Sequence, residues 1–210
     1  MRTRVKICGI TNEADAALAV AAGADAVGVV LAESPRRVTL PQAERALAAV
    51  PPLVARVGVF VDAEPAFVAE AVRALRLTAV QLHGDETPEA CASAPVPVIK
   101  AFRVAGPQDL TGVEAYRGSI SAALLDARVP QARGGTGVAF DWDAVRDALP
   151  SWIPVVVAGG LRADNVGTAV RTLRPFAVDV SSGVEAAPGV KDARKVEQFM
   201  AAVRAADEEG

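Results

Sequence analysis

The sequence is poor in the residues that build metal centres and cross-links. Its 210 residues hold a single histidine, two cysteines (Cys8 and Cys91), one tyrosine and two tryptophans, and aromatics make up 4%. One imidazole argues against a histidine-rich metal site, and two thiols cannot form a disulfide framework or a structural zinc site. HExxH, Walker and GxGxxG motifs are absent, and no carboxylate cluster suggests a cation cage. No Lys/Arg-rich block occurs and the net charge is -3, so a nucleic-acid partner is not expected. No apolar run reaches the roughly 18 residues of a membrane span, because Gly, Asp or Arg interrupts each candidate. The start, Met-Arg-Thr-Arg-Val-Lys, passes directly into a short apolar strand without a signal-peptide core. A cytoplasmic location with reduced thiols is therefore expected.

What is present is a folding composition, 51% hydrophobic and 22% charged, in a chain long enough for one sizeable core. Short Val/Ile/Leu-rich runs alternate with Ala-rich amphipathic stretches. The apolar runs are 5–8, 26–31, 55–61, 79–82, 96–102, 122–125, 154–158 and 176–180. Continuously apolar runs fit strands of a parallel sheet buried on both faces. Helical stretches are expected over 12–22, 41–50, 65–75, 87–92, 107–116, 141–149, 163–173 and 192–206. Asn12 suits a helix cap, Gly23 a helix stop, and Pro41, Pro65, Pro88 and Pro107 fall near helix starts. Eight alternations over residues 1–210 predict one α/β domain, a (β/α)8 TIM barrel, with an open doubly wound sheet as the alternative.

In such a barrel the chemistry sits where the strands end. Strand one ends in Cys8-Gly9, where a thiol near a helix N-terminus can have a lowered pKa and act as base or nucleophile, or simply fill the barrel mouth. Strand two leads to Arg36 and Arg37, which can bind a carboxylate or be solvated. Phe60 lines a pocket or packs in the core. His83, after strand four, is structural or part of the site. Asp126, at the end of strand six, is either an acid whose pKa burial raises or the partner of a nearby cation. Arg133-Gly134-Gly135-Thr136-Gly137 is a lid or a plain loop. Gly159-Gly160 and Ser181-Ser182-Gly183, after the last two strands, suit a phosphate held by backbone N–H groups and a short extra helix. Cys91 reads as packing.

Several blocks together resemble one family. They are Lys6-Ile7-Cys8-Gly9-Ile10-Thr11, Gln81-Leu82-His83-Gly84-Asp85-Glu86, Gly134-Gly135-Thr136-Gly137, Ala158-Gly159-Gly160-Leu161 with Asn165-Val166, Asp179-Val180-Ser181-Ser182-Gly183-Val184-Glu185 and Pro188-Gly189-Val190-Lys191-Asp192. Their residues and order are similar to phosphoribosylanthranilate isomerase of tryptophan biosynthesis, from residue 4 to about 200. The resemblance implies a (β/α)8 barrel without metal or organic cofactor. It implies an Amadori rearrangement of N-(5-phosphoribosyl)anthranilate to 1-(2-carboxyphenylamino)-1-deoxyribulose 5-phosphate. It further implies Cys8 as general base, Asp126 as general acid and Arg36 as the anthranilate-carboxylate contact. Gly159, Gly160, Ser181, Ser182 and Gly183 would hold the phosphate, and Asp179 and His83 complete the substrate-binding set. Arg37 departs from the family, which often has an aromatic residue there. A phosphosugar is thus the expected partner, bound by a monomer or homodimer. The alternatives are a dual-substrate isomerase that also takes the histidine-pathway aminoaldose, a longer lysine-using barrel synthase for which only Lys100 is well placed, and an inactive phosphosugar-binding protein.

Overall fold

Every one of the eight apolar runs forms a strand, and each strand pairs in parallel with its neighbour in sequence. The computed structural model describes residues 2–127 and 142–209. The strands are β1 (Arg4–Ile7), β2 (Ala26–Val30), β3 (Ala55–Phe60), β4 (Ala79–Leu82), β5 (Val98–Val104), β6 (Ala122–Ala127), β7 (Val155–Ala158) and β8 (Ala177–Val180). The last closes on the first, with Lys6 opposite Asp179 and Ile7 opposite Val180, so the sheet is a closed barrel.

The helices are α1 (Glu13–Ala21), α2 (Leu40–Leu47), α3 (Pro65–Leu75), α4 (Pro88–Ala92), α5 (Trp142–Arg146), α6 (Val166–Leu173) and α7 (Ala193–Glu208). Their ends follow the local chemistry. Asn12 Oδ1 accepts from the Asp15 amide and starts α1. At the other end Gly23, at φ +96°, donates to Val20 and Ala24 donates to Ala19, a paired stop that needs a left-handed residue. Pro65 and Pro88 each occupy a first helical position.

Two elements differ from expectation. Residues Pro107–Tyr116 form a 3-10 helix, not an α-helix. Its buried residues, Leu110 and Val113, are three apart, the repeat of a 3-10 turn, and Gly112 between them weakens an α-helix. After β8 the chain makes a short 3-10 turn (Ser182–Val184) and then an unforeseen hairpin of β9 (Glu185–Ala187) and β10 (Val190–Lys191). Of the helix expected over 141–149, Trp142–Arg146 is α-helical. The predicted loop over 133–137 lies outside the described residues.

Inside and outside of the barrel have different chemistry. Val5, Ile7, Val80, Leu82, Val178 and Val180 face the helices in the main apolar core. A smaller apolar cluster of Ala101, Ala122, Leu124, Val156, Ala158 and Ala177 fills part of the interior. The intervening residues of β1, β4 and β8 are Lys6, Gln81 and Asp179, all buried. The apolar reading of these strands is therefore correct for one face only, and the other carries a polar patch.

Candidate active site

A cavity of about 380 Å³ opens at the C-terminal ends of the strands. Cys8, Arg36, His83, Asp126, Gly159, Gly160, Asp179, Ser181 and Ser182 all line it, so residues from six strand ends converge. A larger hollow of about 770 Å³ lies at the opposite end of the barrel, between the starts of β7 and β8 and the end of α7. None of the predicted site residues reaches it.

Cys8 follows β1 and shares an inward face with Lys6, two residues earlier. Gly28 on β2 makes the room: a Cβ there would sit 2.8 Å from Cys8 Sγ and 3.0 Å from Lys6 Cε. The thiol does not have the lowered pKa expected near a helix N-terminus. Burial pushes it up, and the Lys6 ammonium only partly opposes that. Lys6 stays charged because Asp179 and Cys8 more than offset its own burial. Its Nζ lies 3.0 Å from Asp179 Oδ1 and 2.9 Å from Gln81 Oε1. Asp179 is thus the counter-ion of Lys6 at the cavity floor.

The polar patch continues across the barrel. Gln81 Nε2 is 3.0 Å from His83 Nδ1, and His83 Nε2 is 3.2 Å from Asp126 Oδ2. Asp126 is not the buried carboxyl anticipated from its apolar strand. Its side chain is 34% exposed and looks into the cavity, and among the described residues its partner is His83 rather than a lysine or arginine.

Arg36 and Arg37 separate cleanly. Arg37 is exposed and pairs with Glu33. Arg36 lies over Gly9, where a Cβ would come within 2.6 Å of its Cδ, and is anchored to Glu185. Burial alone would raise the Glu185 pKa. Hydrogen bonds from Arg36 and Lys191 outweigh it and bring the carboxyl down to about 2.

On the far wall Gly159 and Gly160 both have left-handed backbones, at φ +86° and +64°. Among the described residues neither of their N–H groups donates within the chain. The Ser181 hydroxyl is buried and has no hydrogen-bond partner among the described residues. Open backbone donors and an orphaned hydroxyl suit a bound anion. Gly183 does not line the cavity. A Cβ there would lie 1.9 Å from the Leu161 carbonyl oxygen, so only glycine lets the loops after β7 and β8 touch at this point.

Other candidates resolve as packing. Phe60 is fully buried edge-on to Phe67, with centroids 6.1 Å apart. Cys91 is buried, which lifts its thiol to about 11. Lys100 is buried against Glu86 at 3.2 Å and donates to the Gly84 carbonyl, bracing the turn that carries His83. Lys6, Gln81, Glu185 and Lys191 stand inside the motif blocks quoted above, but the sequence gives none of them a site role. A polar residue inside an otherwise apolar strand was the available signal for the first two.

Residues 5–202 match the family model described as N-(5'phosphoribosyl)anthranilate (PRA) isomerase. The chain is 50% identical over 207 residues to the N-(5'-phosphoribosyl)anthranilate isomerase of Myxococcus xanthus, covering 97% of each chain. It superposes on the phosphoribosyl anthranilate isomerase of Thermotoga maritima with a TM-score of 0.88 at 42% identity, covering 97% of this chain and 99% of that one. The Thermotoga protein is described as dimeric. A phosphoribosyl anthranilate isomerase solved with reduced 1-(o-carboxyphenylamino)-1-deoxyribulose 5-phosphate aligns at a TM-score of 0.85 and 41% identity, covering 97% and 99%.

Proposed function

The chain belongs to the N-(5'-phosphoribosyl)anthranilate isomerase family, and we propose that it uses Cys8 as base and Asp126 as acid. The reaction converts N-(5'-phosphoribosyl)anthranilate to 1-(2-carboxyphenylamino)-1-deoxyribulose 5-phosphate in tryptophan biosynthesis. The observation that carries the assignment is the shared cavity, with Cys8, Asp126 and Arg36 on its walls and the open donors of Gly159 and Gly160 beside them.

Asp126 gives its proton to the ribose ring oxygen. The C1'–O bond breaks and the amine nitrogen supplies electrons to form a protonated Schiff base. That cation acidifies the hydrogen on C2'. Cys8, as thiolate, removes it, and the released electron pair neutralises the imine to an enolamine. The enol loses its proton as C1' gains one, giving the ketose. The Lys6 ammonium supports the thiolate, with a smaller contribution from Lys191. Gly159, Gly160, Ser181 and Ser182 hold the phosphate, and Arg36 holds the anthranilate carboxylate. Fixing both ends of the substrate is worth up to about 7–11 kcal/mol of barrier, and each acid or base roughly 10²–10⁴-fold.

The test is the loss of phosphoribosylanthranilate fluorescence with the wild type, Cys8→Ser and Asp126→Asn. Each variant is expected to lose kcat by roughly 10²–10⁴-fold and still bind substrate. Unchanged turnover in either removes that residue from the mechanism. A role on the histidine-pathway substrate draws no support: the family and relatives matched are named for the single activity. Like the Thermotoga relative, the chain is assigned as a homodimer, to be checked by sedimentation.

A further inference from the structure

Five side chains from β8, β1, the end of β4 and β6 form one polar line through the barrel: Asp179, Lys6, Gln81, His83 and Asp126. The line has a direction. An ammonium donates and never accepts, so the Gln81 atom 2.9 Å from Lys6 Nζ has to be the amide oxygen. Gln81 is buried, so its amide has no freedom to turn over toward water. Its NH2 group therefore faces His83 Nδ1 at 3.0 Å. A donor facing a ring nitrogen requires a lone pair there. The ring proton is then on Nε2, which lies 3.2 Å from Asp126 Oδ2. Tautomers are usually left open by heavy-atom positions, but here the buried ammonium fixes the polarity of each link in turn.

The consequence falls on Asp126. Were His83 Nε2 unprotonated, it would accept the Asp126 O–H, and the acid's proton would point at the ring instead of the cavity. With Nε2–H donating, Oδ2 can only accept. We propose that Gln81 is a positioning residue that fixes His83 as the Nε2–H tautomer, so that the proton Asp126 delivers sits on Oδ1, an inference resting on Asp126 as the acid. His83 then acts on Asp126 rather than on the substrate, and the same N–H stabilises the carboxylate left once the proton has gone.

The chain has one histidine, so a long-range proton–nitrogen NMR correlation spectrum of the whole protein contains one imidazole. The expected wild-type spectrum at neutral pH shows a lone pair on Nδ1 and a proton on Nε2. Gln81→Glu replaces the donor facing Nδ1 by an acceptor, and Nδ1 is expected to gain a proton. Its kcat is expected to fall roughly 10–100-fold, part of the roughly 10²–10⁴-fold that a well-positioned acid supplies, with KM little changed. A wild-type spectrum with Nδ1 protonated overturns the proposal. So does a Gln81→Glu spectrum identical to the wild type. Should Gln81→Glu not fold, the wild-type spectrum alone decides. An inactive Asp126→Asn enzyme with the wrong tautomer sinks the role of Gln81 and leaves the acid assignment standing. A fully active Asp126→Asn enzyme sinks the acid assignment whatever the spectrum shows.

Discussion

Arg36 and Glu185 are joined by two hydrogen bonds, Nε to Oε1 at 2.7 Å and Nη2 to Oε2 at 2.6 Å. Lys191 Nζ closes on Oε1 at 2.9 Å. The β9–β10 hairpin, invisible in the sequence patterning, supplies both partners. Because the carboxylate takes the Nε–Nη2 edge, the guanidinium is held in one orientation with Nη1 still able to donate to a ligand.

Arg36→Ala is expected to raise KM by roughly 10–100-fold, the equivalent of one or two charged hydrogen bonds. Arg37→Ala is expected to leave KM alone, since the Arg37 guanidinium is exposed and pairs with Glu33. Steady-state kinetics on the two variants distinguishes them, and the reverse pattern shifts the carboxylate contact by one residue.

Glu185 is held at about 2, below the ordinary 4.5. A carboxyl depressed by folding contributes stability above its unfolded value, and that contribution is lost as pH falls from about 4.5 toward 2. Lys191 is itself lowered by burial, which offsets part of the gain. Melting curves of wild type and Glu185→Gln are expected to differ most near neutral pH and to converge toward pH 2. A constant gap across that range would mean that the ionised form of Glu185 contributes no stability.

Lys6→Met removes the ammonium that opposes burial at Cys8 and leaves Asp179 unpaired. The loss of one partner from a buried pair costs about 3–5 kcal/mol, so Tm is expected to drop. The rising limb of the pH profile of kcat/KM is expected to move to higher pH, because the thiol becomes harder to ionise. An unmoved limb would separate Lys6 from the base.

Gly28→Ala places a methyl group 2.8 Å from Cys8 Sγ and 3.0 Å from Lys6 Cε. Both side chains must move, and kcat is expected to fall at least about tenfold, as a misplaced base loses much of its roughly 10²–10⁴-fold contribution. Full activity would show that the Cys8 position is not critical.

The barrel is legible because each strand presents an apolar face to the helices, which makes the runs at 5–8, 79–82 and 176–180 read as apolar. The same averaging hid the inward face. Lys6 finds Gln81 75 residues later and Asp179 173 residues later. Arg36 finds Glu185 149 residues on. Spacing along the chain carries no trace of such pairs, which exist only once the barrel closes. Asp126 was found by its position at a strand end, yet its exposure and its histidine partner depend on neighbours from other strands. The 3-10 helix over Pro107–Tyr116 was misread because Leu110 and Val113 satisfy either helical repeat.

The bond between Lys6 and Asp179 also imposes a timetable. On the ribosome the first strand emerges with an ammonium whose counter-ion is still untranslated, at about 5–20 residues per second a wait on the order of 10–35 s. Until β8 is made, β1 cannot be dehydrated without stranding a charge, so the half-made chain is held back from sealing itself prematurely. Closure of the ring and the birth of a working enzyme are then one event.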